Sequence, residues 1–354
     1  MEEKKDTLGM LDLVIRPGFC VKENQIIKVN QAAESLFITP GTDVRPLLLT
    51  GSEEYAAFTG GCLYLTLSLS SHSCGASVTR VDDIDVFLLE QESDNGELRS
   101  MALAARELRE PLTNVMITAD SLFPLCAAES SPRTAEQVAR LNRGLFQILR
   151  IIGNMSDAER CAAVSHQETV DIPALFAEFF EKAETLVSHT GITLTYEGPD
   201  QPIYGLADRE QLERAVLNIL SNAIKFTPKG GTVTAKLTRS GRMLRLSVTD
   251  SGSGIAQSVR SSVFSRYLRQ PALEDSRYGI GLGMVLIRTA AAHHGGAVLI
   301  DQPEGVGTRI TMTMSIRQSK QATLRSNVLR VDYAGEQDHG LIELSECLPT
   351  ELYE

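Results

Sequence analysis

The spacing of apolar positions changes character along the chain, and each change marks a candidate boundary. From Met10 to about Glu90 the apolar residues fall in short runs separated by turn formers. Ile26 to Val29 and Asp85 to Leu89 read as strands, Leu63 to Ser70 as a strand with one apolar face, and Gln31 to Phe37 as a short helix. Ser93-Asp94-Asn95-Gly96 reads as a turn that closes this first unit, residues 1–92. Beyond it Met101, Ala105, Leu108, Leu112, Val115, Ala119 and Leu122 recur in alternating steps of four and three. After Glu129-Ser130-Ser131-Pro132 the same rhythm returns in Val138, Leu141, Leu145, Ile148, Ile152 and Met155. These are heptad seams, which a helix can bury only against other helices.

Residues 93–165 therefore predict an antiparallel helical hairpin. A lone hairpin leaves half of its apolar stripe in water, so two chains pairing into a four-helix bundle is the natural solution, with packing on another domain of the same chain as the alternative. From 166 to 317 the pattern is mixed. Ile172 to Val187 and Asp208 to Phe226 are amphipathic helices, and a further helix follows Gly283. Ile192 to Tyr196, Val233 to Leu237, Leu244 to Val248 and Arg309 to Ile316 alternate as strands. Residues 318–354 form a polar, acidic tail whose role the sequence does not disclose. The fold class expected is thus α+β and multidomain: a small α/β unit, a helical hairpin and an α/β-sandwich domain.

Charge and composition narrow the functions. A formal net charge of −11 without a basic stripe excludes nucleic acid as the main partner. No run approaches the roughly 18–20 apolar residues of a membrane helix, and the first residues lack a signal-peptide core, so a cytoplasmic location is expected. Six scattered cysteines show no metal-ligand spacing and read as reduced, buried thiols.

Three segments carry chemistry. On the helix from Leu212 to Phe226, Asn218, Asn222 and Lys225 are spaced four and three apart and share one side. Neutral oxygens suit a hard cation, and an ammonium suits phosphate. Asp250-Ser251-Gly252-Ser253-Gly254 follows a strand, setting a carboxylate beside two glycines; the carboxylate can accept from an exocyclic amine while the glycines admit a flat base. Gly279-Ile280-Gly281-Leu282-Gly283 precedes a helix, whose unpaired N–H groups favour phosphate. It lacks the βαβ setting of a dinucleotide fingerprint.

In this order the three segments resemble the nucleotide site of sensor histidine kinases, a fold shared with gyrase and Hsp90-type ATPases. Asn218 to Pro228 looks like the family's asparagine box, and the two glycine segments look like its glycine boxes. Val263 to Arg269 resembles the box that begins the ATP lid, and His294-Gly295-Gly296 and Gly305 to Thr308 resemble its closing signatures. The resemblance implies ATP and Mg2+ as cofactors. Asn222 would coordinate the metal, assisted by Asn218; Lys225 would contact phosphate, with Phe226 beside the adenine. Asp250 would bind the adenine amine, with Gly252 and Gly254 at the base. Gly279, Gly281, Leu282 and Gly283 would shape the phosphate loop, and Arg269 would reach the terminal phosphate. His294 is expected to be structural. The passage from Ile26 to Phe37 resembles the early strand and helix of PAS sensor domains.

The chain departs from the family where the phosphoacceptor belongs. Arg106-Glu107-Leu108-Arg109-Glu110-Pro111-Leu112 matches the flanks of the family's acceptor motif, including Glu107, which in the family assists the nucleophile. Arg106 stands where the histidine would be, and a guanidinium has no free lone pair for attack. Glu110 occupies the place of the polar residue that positions water for dephosphorylation. The reading that follows is a sensor-histidine-kinase homologue of two-component signalling that binds Mg·ATP and is degenerate at Arg106. It would act as a homodimer, or as a heterodimer with an intact kinase, with a response regulator as the further partner in a phosphorelay. The alternatives are an active kinase using another acceptor residue or partner, and a non-enzymatic, ATP-dependent interaction module.

Overall fold

The computed structural model describes residues 9, 11–69, 72–90, 93–128, 132–163, 166–255, 263–264, 282–303, 307–318 and 338–353. The first unit holds β1 (Gly18–Lys22), β2 (Gln25–Val29), β3 (Cys62–Ser68), β4 (Ser73–Val81) and β5 (Ile84–Leu89), with the short helices α1 (Gln31–Glu34) and α2 (Ser52–Ala56) between β2 and β3. The helix expected over Gln31 to Phe37 is shorter than its apolar content suggested, because Phe37 takes a left-handed backbone with φ near 60°. Asn30 caps α1: its side chain accepts from the Ala33 N–H, and its amide donates to the carbonyls of Val14 and Arg16.

The hairpin is α3 (Ser93–Ala128) and α4 (Pro132–Ala163). The turn expected at Ser93 to Gly96 is instead the first turn of α3: Ser, Asp and Asn are as well suited to a helix start as to a turn. Within the hairpin Ala105, Leu112, Ala119, Leu145 and Ile152 are buried, whereas Leu108, Val115, Leu122, Leu141 and Ile148 remain exposed. One of the two heptad positions thus packs inside the chain and the other stays wet.

The third region holds β6 (Glu168–Asp171), α5 (Ile172–Val187), β7 (Thr193–Glu197), β8 (Tyr204–Ala207), α6 (Arg209–Phe226), β9 (Thr232–Ser240), β10 (Met243–Asp250), α7 (Leu282–His293), β11 (Val298–Asp301) and β12 (Arg309–Ser315). Val233, Ala235 and Leu237 of β9 and Leu244, Leu246 and Val248 of β10 turn one face toward α5 and α6, where Phe176, Phe180, Val216 and Leu220 complete the core. In the tail, α8 (His339–Glu343) and a short 3-10 helix (Thr350–Tyr353) also enter this core through Ile342, Leu344, Leu348 and Tyr353.

One ten-stranded sheet runs through both α/β units, in the order β2-β1-β5-β4-β3-β11-β12-β10-β9-β7. The join is antiparallel pairing of β3 with β11, with Tyr64 opposite Val298 and Cys62 opposite Ile300. It explains why β3 is buried on both faces: Leu63, Leu65 and Leu67 fill the first unit's core, while Cys62 and Tyr64 fill the other. Pairing also removes two open sheet edges. Among the described residues no helix is long and apolar enough to cross a membrane.

Candidate functional site

The site assembles where the end of β10, the C-terminal half of α6 and the start of α7 meet. Asp208 sets the beginning of α6: it caps the helix by accepting from the Gln211 N–H at 3.2 Å, and also accepts from the His166 N–H at 2.7 Å. Its own N–H donates to His294 Nε2 at 3.0 Å, while Nδ1 of that ring lies 2.7 Å from the Ala290 carbonyl. His294 is therefore a buried, neutral imidazole tying α7 to α6, the structural role expected of it. Burial lowers its pKa.

Asp250 ends β10. Its Oδ1 accepts from the N–H groups of Gly252, at 2.8 Å, and Thr308, at 3.1 Å. Burial pushes the carboxyl upward against these two donors. At Gly252 a Cβ would strike the Phe226 carbonyl, so glycine is what lets the turn close onto the end of α6. Gly254 has φ of +75°, a conformation side chains rarely adopt. Asp250, Gly252, Gly254 and Phe226 are thereby brought together.

Along α6, Asn222 and Lys225 are partly buried and Asn218 is 1% exposed. Asn218 Nδ2 donates to the Arg214 carbonyl at 2.9 Å, and its Oδ1 has no hydrogen-bond partner among the described residues. That oxygen points at Gly283, where a Cβ would lie 2.7 Å from it; Asn222 Nδ2 approaches Met284 Sδ at 3.9 Å. Leu282 and Gly283, the first residues of α7, thus face the asparagines. A buried, unpaired amide oxygen is costly unless something fills its valence, and a hard cation with oxygen ligands fits that need. Arg269, Gly279 and Gly281 lie outside the described residues.

Arg106 and Glu107 are exposed on α3. The helix continues through Pro111, whose missing N–H leaves the Glu107 carbonyl without its helical donor.

Several residues of the site were not singled out from sequence. Arg214, 3% exposed, contacts Asn154 Oδ1 of α4 at 2.6 Å and Glu343 Oε1 at 3.0 Å. It sits one turn before Asn218 on the same helix face, so the spacing that picked out the asparagines also reaches it. Arg288 of α7 pairs with Glu90 at 2.5 Å, lies over the Tyr64 ring at 5.0 Å from its centroid, and donates to the Phe264 carbonyl at 3.0 Å. Tyr64 in turn donates to Glu90 Oε2 at 3.0 Å. The first unit is thus pinned to the helix that follows the glycine loop.

Comparison with known proteins places this geometry. Residues 207–318 match the family described as histidine kinase-, DNA gyrase B-, and HSP90-like ATPase. An uncharacterized sensor-like histidine kinase of Rhizobium meliloti is 28% identical over 276 residues, covering 73% of this chain and 52% of that protein. The adaptive-response sensory kinase SasA of Synechocystis sp. is 30% identical over 224 residues, 61% of this chain and 58% of its own. The signal transduction histidine-protein kinase/phosphatase MprB of Mycobacterium sp. is 28% identical over 280 residues, 77% and 49%. The chain thus spans roughly half of the length of these curated relatives. Full-length ShkA, solved in complex with AMPPNP, shares the fold with a TM-score of 0.51 at 23% identity, covering 64% of this chain and 47% of that one.

Proposed function

Residues 207–318 form a domain of the histidine kinase-like ATPase family, and on that premise we propose that the chain is a two-component signalling protein that binds Mg·ATP but is degenerate at its phosphoacceptor position, Arg106. The observation that carries the nucleotide reading is that Gly252 lets the turn after Asp250 close onto the Phe226 carbonyl while the orphan oxygen of Asn218, earlier on the same helix, faces Gly283. With Oδ1 of Asp250 held by two backbone donors, Oδ2 is left to accept from the adenine amine, and Phe226 lies beside the ring. Lys225 would meet phosphate, together with Arg269 and the loop of Gly279, Gly281, Leu282 and Gly283. Asn222, helped by Asn218, would hold Mg2+, which neutralises phosphate charge when bound.

The hairpin supports the other half of the reading. Leu108, Val115 and Leu122 line α3 at intervals of seven and stay exposed beside Leu141 and Ile148 of α4, the stripe a second hairpin would cover. Arg106 is exposed next to Glu107, where an acceptor would have to stand, yet its guanidinium has no free lone pair with which to attack phosphorus. Such a protein would signal through conformation, as a homodimer or beside an intact kinase, with the first unit as a PAS-like sensor. Support for the sensor reading is the sequence passage from Ile26 to Phe37, in which the strand β2 is followed by the short helix α1. Calorimetry of the full chain with ATP and Mg2+ tests the nucleotide half: saturable binding is expected, and no heat at millimolar ATP would contradict it.

A further inference from the structure

The C-terminal segment 338–353 packs between α4 and α6, and its two inward carboxylates engage the residues proposed to hold phosphate and metal. Glu343 is fully buried. Its Oε1 lies 3.0 Å from Arg214 Nη2, and its Oε2 lies 3.3 Å both from Arg150 Nε and from Asn218 Nδ2. Glu346 reaches Lys225 Nζ at 2.7 Å and Arg150 Nη1 at 3.2 Å. Burial would raise the Glu346 carboxyl, but Arg150 and Lys225 together outweigh it and hold the group below its ordinary range. Around them Arg150 Nη2 donates to Ser221 Oγ at 3.0 Å, and Cys347 Sγ donates to the Ser221 carbonyl at 3.4 Å.

The segment is strapped down from the hairpin side as well. Arg143 donates to the carbonyls of Ser345, at 2.9 Å, and Glu346, at 3.0 Å, and Asn142 donates to the Tyr353 carbonyl at 2.9 Å. Tyr353 packs edge-on against Phe146 with ring centroids 5.2 Å apart. An acidic segment, held in place by its backbone, thus presents carboxylates to three cationic side chains and an asparagine amide.

From this arrangement we infer that segment 338–353 is an autoinhibitory strap whose Glu346 carboxylate competes with the phosphates of Mg·ATP for Lys225. The inference rests on the nucleotide reading above. A carboxylate and a phosphate oxygen both seek the Lys225 ammonium, and two anions brought to one cation repel each other. Phosphate binding therefore displaces Glu346, loosening the strap from α6 and freeing the contact between hairpin and ATPase domain. Adenosine, which has no phosphate, does not compete.

The test compares the natural full-length chain with Glu346→Gln, a change at a partly exposed side chain that removes the charge and keeps the shape. Calorimetry is run with ATP plus Mg2+ and, separately, with adenosine. The variant should bind Mg·ATP at least about threefold more tightly, as expected for loss of one competing ion pair, with adenosine affinity unchanged. In the natural chain Mg·ATP should speed alkylation of Cys347, read by mass spectrometry, because the strap lifts. Equal or weaker Mg·ATP binding by the variant, or unchanged or slower Cys347 alkylation with Mg·ATP, overturns the inference while leaving the nucleotide reading intact. Absence of both ATP and adenosine binding in both proteins overturns the two together.

Discussion

His294 Nε2 accepts a hydrogen bond from the Asp208 amide at 3.0 Å, so the residue just past the end of α7 fixes the cap that starts α6. The bond needs a bare ring nitrogen, and His294 is 2% exposed. Its folded pKa lies below the ordinary 6.5, chiefly through burial, and that of neighbouring His293 shifts the same way. Between the folded value and 6.5 the unfolded chain binds more protons, so stability rises with pH across that window. Urea unfolding should give a constant stability above about pH 7 and a decline as pH falls below 6.5. The slope is limited to about 1.4 kcal/mol per pH unit for each histidine. His294→Gln should flatten that decline; an unchanged slope would remove His294 from the explanation.

Asp250→Asn replaces the acceptor proposed for the adenine amine with a group that can present an N–H to it. A loss of about 1–3 kcal/mol in ATP affinity is expected, with folding retained, because the Oδ1 contacts to Gly252 and Thr308 can persist. Asn222→Ala should weaken ATP only when Mg2+ is present. Calorimetry with and without the metal separates the two, and equal losses for Asn222→Ala in both conditions would deny it a metal role.

How much of this was legible in the sequence differs from element to element. The helix carrying Asn218, Asn222 and Lys225 and the seams of α3 and α4 were readable, because long periodic helices state their buried face in their spacing. The joining of β3 to β11 was not: it depends on backbone edges that meet only after both units have folded, and side-chain pattern carries no record of that. The tail was opaque for another reason. A helix of five residues is too short for periodicity, and Glu343 reads as a solvated charge until Arg150 and Arg214, both distant in sequence, surround it. Even in the hairpin, spacing did not tell which heptad position faces inward; Leu112 is buried and Val115 is not.

That distinction sets the dimer test. Val115→Glu with Ile148→Glu places charges on the exposed stripe, so the variant should sediment as a folded monomer where the natural chain sediments as a dimer. Leu112→Glu would instead bury a charge inside one hairpin and should unfold it. A monomeric natural chain at micromolar concentration would rule out self-association through this stripe.

Arg288→Leu removes the cation shared by Glu90, the Tyr64 ring and the Phe264 carbonyl. Breaking a largely buried pair from one side should destabilise the chain by about 3 kcal/mol, measured by denaturant unfolding. A loss below about 0.5 kcal/mol would show that the first unit is held to the third region by the pairing of β3 with β11 without help from this cation.

The central claim is that a histidine-kinase-type ATPase module is attached to a hairpin that cannot accept phosphate at Arg106. The most direct measurement is incubation of the full chain with γ-labelled ATP and Mg2+, followed by acid- and base-stability tests and mapping of any label, with Asn222→Ala as the blank. No acid-labile label is expected on residues 93–165 of the natural chain, although ATP is bound. Acid-labile, base-stable label mapped to that hairpin would contradict the claim.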